Sequence, residues 1–183
     1  MKKNDWKLFK IKSEEKIEKI EVDYKSTWGF QKQKNTKWNE GLRMTQIEGL
    51  TEYFGFDLPN DYVEMLKIFN GFDTAHISVD PYGIEENEFE RRCYKYPGDL
   101  ENTKWLIEEV NYYIEYAIEA LSVGGFSNYE IEGFVPLYGH RALAVLNDKT
   151  KSPVLSIWGE DIIVYGNSLF DYWCNELGLK YEK

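Results

Sequence analysis

The chain predicts an α+β domain: a mixed or antiparallel sheet of about five to six strands with helices packed on it. Three observations carry this. Residues 43–71 read as two short helices joined by a Gly-x-x-Leu-Pro corner. A run from Asp99 to about Val123 keeps an apolar stripe at helical spacing. Residues 134–165 hold four short apolar runs split by turn residues, and a closing helix follows.

Taken in order, residues 1–40 form a lead-in to a core over 41–178, with no low-complexity linker to divide the single domain of 1–183. Two readings stay open near the start. Ser13 caps a short helix carrying Ile17, Ile20 and Tyr24, or the run Ile17–Val22 is an edge strand. Trp28-Gly-Phe-Gln and Trp38-Asn-Glu-Gly41 read as turn-rich.

In the corner, Thr45 is the expected cap of the first helix, and Glu48 completes a capping box. Ile47, Leu50 and Phe54 share a face, and Gly55 supplies the left-handed stop. Pro59 suits the first turn of the second helix. Tyr62, Met65, Leu66 and Phe69 form its buried stripe, and Asn70-Gly71 ends it.

His76–Val79 is a strand stopped by Asp80-Pro81, and residues 83–98 read as a polar loop. Asp99 caps the long helix, whose stripe is Leu106, Val110, Tyr113, Ala117 and Leu121. Strands follow at 134–138, 142–146, 153–157 and 162–165. Ser168 then caps a last helix that turns Leu169, Tyr172, Trp173 and Leu177 inward.

The ordered motifs resemble the SUKH superfamily over roughly residues 28–177. They are a short helix, Leu58-Pro-x-Asp-Tyr-x-x-x-Leu66, Asn70-Gly71, Phe134-Val-Pro-Leu137, Gly139-His-Arg141, Ser152-Pro-Val-Leu-Ser-Ile157, Asp161-Ile-Ile-Val-Tyr-Gly166 and Tyr172-Trp-Cys-Asn-Glu176. That superfamily holds a fungal regulator of cell-wall assembly and many bacterial immunity proteins. The resemblance implies a bacterial immunity protein that binds a cognate toxin domain, often a nuclease, and blocks it without catalysis. A regulatory scaffold of the cell-wall type is the alternative it implies. An enzyme with a carboxylate site is the third reading.

Charge bears on the partner. The net charge is −10 and unevenly placed: residues 1–43 hold twelve Lys and Arg against seven Asp and Glu, residues 44–183 ten against twenty-five. Such acidity repels phosphate backbones, which argues against direct nucleic-acid binding, and attracts a basic protein. Solubility alone is the plainer explanation of the same charge. Aromatics are 16% of the chain, enough to supply an interface or a sheet-rich core. Cys93 and Cys174 lack metal-ligand spacing and suit a reducing compartment. No run reaches the length of a membrane span, and the charged start lacks the apolar stretch of a signal peptide. A cytoplasmic protein without cofactor or metal is expected.

Catalytic constellations are absent from the sequence. There is no Gly-x-Ser-x-Gly elbow, His-Glu-x-x-His or phosphate loop. His76 is expected to hold a structural bond in its strand, and His140 to lie exposed in a hairpin turn. Glu130 with Glu132, or Glu160 with Asp161, are acid pairs that abundance alone explains. The run Glu85, Glu86, Glu88 and Glu90 lacks the spacing of a calcium loop. The partner-binding candidates are therefore carboxylates beside aromatics: Asp80, Tyr82, Glu85, Glu86, Glu88, Glu90, Tyr94, Tyr96, Trp158, Glu160 and Asp161, with Tyr165 and Asp99 nearby.

Overall fold

A computed structural model describes residues 2, 4–21, 28–79 and 88–181. The expectations placed on Val22, Tyr24, Asp80-Pro81 and the start of the 83–98 loop lie outside the described residues.

The first helix, α1 (Trp6–Ile17), begins well before Ser13. Asp5 caps it, its carboxylate accepting the Leu8 N–H at 3.0 Å. Trp6, Phe9, Ser13 and Ile17 fall on one buried face. Ser13 sits there because its hydroxyl is used twice: it donates to the Lys10 carbonyl and accepts the Trp38 indole N–H at 2.8 Å. It is a core polar link and not a cap.

The corner is helical, with shifted ends. α2 (Met44–Phe54) starts two residues earlier than the capping-box pattern implies, and Gln46 supplies the side chain that accepts the Arg43 N–H. Thr45 and Glu48 lie within the helix and face solvent. The Leu42 N–H is held by the Leu66 carbonyl at 2.7 Å, which sets where the chain enters. Gly55 ends α2 in the left-handed conformation, φ 78°. Pro59 is the residue before α3 (Asn60–Leu66), and Tyr62, Met65 and Leu66 are buried.

Beyond Leu66 the helix stops sooner than expected. Phe69–Phe72 is a fully buried strand, β3, paired with β2 (Trp38–Glu40). Asn70 exchanges bonds with the backbone of Tyr96, donating to its carbonyl and accepting its N–H at 3.0 Å. Gly71, at φ 66°, leaves no room for a Cβ beside the Tyr94 carbonyl. Asn70-Gly71 is thus a docking point for segment 94–96. Phe69 is buried at the i+3 position from Leu66 that a continuing helix would also bury, so its apolar character does not distinguish strand from helix.

Strand β4 (His76–Val79) forms where expected, between β1 (Gly29–Gln31) and β5 (Glu88–Glu90) in an antiparallel sheet. The predicted long helix is two. After a 3-10 turn at Glu101–Thr103 come α4 (Lys104–Tyr112) and α5 (Ile114–Val123), with Tyr113 out of helical geometry between them. With the break, α4 lies against strands 131–138 and 154–158 and α5 against strand 161–166, while Leu106, Val110, Ala117 and Leu121 all stay buried. Asp99 caps neither helix. It is buried, accepts the Lys95 N–H at 2.7 Å and pairs with Arg91.

The main sheet is an antiparallel meander: β6 (Ile131–Tyr138), β7 (Arg141–Leu146), β8 (Val154–Trp158) and β9 (Asp161–Gly166). The α+β class holds, the nine strands among the described residues being distributed over sheets of three, two and four. Phe134, Ala142, Ala144, Leu146, Leu155 and Ile157 face α4 and α5. Val135, Leu137, Leu143, Val145 and Val154 face the other core. There α6 (Leu169–Glu176) packs with the corner, capped by Ser168 as expected. Rings of Trp6, Phe9, Trp38, Phe69 and Phe170 meet within this core. Much of the aromatic content is therefore structural. Among the described residues no helix is long and apolar enough to cross a membrane.

Candidate protein-binding surface

Cross-strand register decides which side chains share a face. Arg141 stands opposite Ser156, and Ser156 opposite Ile163; Trp158 stands opposite Asp161. These side chains therefore emerge together on the face of β7–β9 away from α4 and α5. The Arg141 guanidinium lies over the Tyr165 ring, 4.2 Å from its centre, and donates to the Ser156 hydroxyl at 2.8 Å. The His140 ring meets Trp158 edge-on at 5.6 Å. Trp158 is 71% exposed and Ile163 50%. A large exposed indole at the uncovered end of this face is costly to hydrate, and Trp, Tyr and Arg are the residues that anchor protein interfaces.

The β8–β9 turn is held from behind. Glu109 on α4 accepts the Gly159 N–H at 2.9 Å, and Gly159 takes φ 57°. Glu160 then lies beside Tyr116 of α5, where its charge raises the phenol above its ordinary value. Glu119, Glu160 and Asp161 line a groove of about 410 Å³ between α5 and β9, with exposed Tyr116 and Val123. Between Lys104 and Arg141 the chain has six acidic residues and no Lys or Arg. Four of the six, Glu108, Glu109, Glu115 and Glu119, lie on α4 and α5, the helices beside the hairpin, whereas Glu130 and Glu132 lie at the start of β6.

On the other side, Arg92 pairs with Glu90 at 2.9 Å and lies over the Phe30 ring at 4.3 Å. Its guanidinium also abuts Gly139, so this pair borders the His140 turn.

Of the predicted candidates, Trp158, Glu160 and Asp161 come together, with exposed Tyr165 adjoining. Glu90 is exposed at the Arg92 border, and Glu88 lies on β5. Asp80, Tyr82, Glu85 and Glu86 fall outside the described residues. Tyr94 and Tyr96 do not belong to the surface: they are 6% and 2% exposed. The Tyr94 hydroxyl donates to the Gly139 carbonyl at 2.8 Å, and that of Tyr96 to the Pro136 carbonyl at 2.7 Å. Burial raises both phenols, Tyr94 to about 12. They brace the edge of β6 and the turn that presents His140.

Sequence reasoning missed Arg141, Ile163, Tyr116 and Glu119. Arg141 was legible only as a turn residue, although the β7 alternation places it on the face opposite Ala142. His140 is half-buried and not exposed. Burial, with Arg141 and Arg92 nearby, holds its pKa down to about 4. His76 bonds the Tyr138 hydroxyl at 2.8 Å, and burial lowers it to about 3. Glu132 pairs with Lys149. Cys93 and Cys174 are buried free thiols, raised by burial, Cys174 to about 12. Among the described residues no group of three or more His, Cys, Asp or Glu is placed to hold a metal ion.

Compared with protein-family models, with curated proteins and with solved structures, the chain finds no match.

Proposed function

We propose that this protein is a stoichiometric, non-catalytic binder of the SUKH immunity type, acting in the cytoplasm on a cognate toxin domain. One observation carries the reading: Trp158, Ile163 and Tyr165 are exposed on a buttressed sheet, set among Arg141, Glu160 and Asp161. The aromatic centre supplies desolvation energy, and the carboxylates beside it steer a basic partner. A nuclease toxin fits this chemistry, because the cations that hold phosphate are available to an acidic inhibitor. The Gly139-His140-Arg141 turn and the Asp161–Gly166 strand are two of the motifs that carry the family resemblance, and both border this face.

The test is a titration of the cognate toxin domain with this protein, following toxin activity. A sharp endpoint at a fixed molar ratio is expected. Complete neutralisation by a small fraction of that ratio would show turnover and overturn the reading.

A further inference from the structure

Among the described residues β9 pairs with one strand only, β8, so its outer edge carries backbone donors and acceptors that the sheet does not use. Grooves flank that edge on both sides. The one toward α5 is lined by Tyr116, Glu119, Val123 and Glu160. The one toward α6, about 210 Å³, is bordered by Val164, Tyr165 and Asn167 and, on α6, by Asp171 and Asn175. Side chains of an added strand alternate between the two faces of a sheet. One set would therefore enter the acidic α5 groove and the other would lie along Ile163 and Tyr165.

Resting on the protein-binding reading above, we infer that the β9 edge accepts an extended basic segment of the partner as an added strand. Its Lys or Arg side chains reach Glu119 and Glu160, and its alternate apolar side chains cover Ile163 and Tyr165. The charge of the groove selects this occupant. No Lys or Arg lines it, so an acidic strand meets only like charge. Two-fold antiparallel pairing with a second copy sets Asp161 of each β9 opposite Gly166 of the other and brings no Lys or Arg of β9 to the groove. Main-chain pairing supplies affinity, and the grooves supply the preference for alternation.

The probe is the hexapeptide acetyl-Lys-Val-Lys-Val-Lys-Val-amide, added to the full-length isotope-labelled protein and followed by amide shifts and hydrogen exchange. The amide of Val164 is expected to shift and to exchange about tenfold more slowly, whereas that of Ile162 already donates to the Glu160 carbonyl at 3.0 Å. A peptide with Glu in place of Lys should leave the Val164 amide unchanged. In the Glu119→Gln, Glu160→Gln double variant, with its spectrum otherwise folded, affinity for the Lys peptide should fall about fivefold or more. Unperturbed β9 amides, equal effects of both peptides, or protection of β9 in a peptide-free dimer would each overturn strand addition. Toxin titration is independent of these results: a fixed endpoint with a silent β9 edge leaves the binder reading standing and removes this one.

Discussion

At the residue scale, exposure separates anchors from braces. Trp158 projects from the sheet, so Trp158→Ala should leave the melting temperature nearly unchanged and weaken partner binding by about 2 kcal/mol or more. Calorimetry of the parent and the Trp158→Ala variant, alone and against the toxin domain, checks this. Tyr94 does the opposite work. Tyr94→Phe removes a buried bond to the Gly139 carbonyl and should cost about 1 kcal/mol in urea unfolding. The aromatic-plus-acid pattern found Trp158, Glu160 and Asp161 but also swept in Tyr94 and Tyr96. Tyrosine near carboxylates looks the same in sequence whether its ring caps a surface or its hydroxyl reaches a buried carbonyl. The histidines add a pH dependence. The unfolded chain protonates them near pH 6.5, whereas the folded chain holds His140 to about 4 and His76 to about 3. Their neutral forms thus add stability that is full above about pH 6.5 and is lost as pH falls toward those values. His76→Gln, which keeps a polar partner for Tyr138, should flatten the stability–pH curve between about pH 6.5 and 3 relative to the parent. An unchanged slope would show that His76 contributes nothing to it.

At the element scale, local punctuation was readable and long-range pairing was not. Gly55, Pro59 and Ser168 mark helix ends through backbone preferences that act within one turn. The meander of β6–β9 was legible for the same reason, since each strand is set off by its own turn. Phe69 and Asn70, by contrast, take their conformation from Glu40 and Tyr96, which are distant in sequence. The Tyr113 break likewise answers to the sheet beneath α4 and α5. Leu66, on the inner side of α3, is the sharp test of the corner. Leu66→Ala should cost roughly 2–5 kcal/mol through lost burial and the cavity left behind. Gly71→Ala tests the docking of segment 94–96, because its added methyl meets the Tyr94 carbonyl in a backbone conformation that alanine disfavours. It should lower the melting temperature, whereas the same change at Gly49, exposed within α2 with open space for a Cβ, should not.

At the scale of the whole molecule, charge and apolar exposure coincide on one side. The stretch from Trp105 to Val123 carries four glutamates and no Lys or Arg, and it folds into the helices beside the hairpin that bears Trp158. Uneven charge was plain in the sequence. Which carboxylates would flank an exposed aromatic was not, because that depends on α5 lying against β9. If this side is the binding surface, charge should govern arrival and the indole should govern departure. The most direct measurement is association and dissociation kinetics with the cognate toxin domain across a salt series. The parent, Trp158→Ala and the Glu119→Gln, Glu160→Gln, Asp161→Asn triple variant should be compared. The account predicts an on-rate that falls with salt and is lowered by the triple variant, and an off-rate raised by Trp158→Ala. On- and off-rates untouched by both sets of substitutions would contradict it and place the partner elsewhere on the molecule.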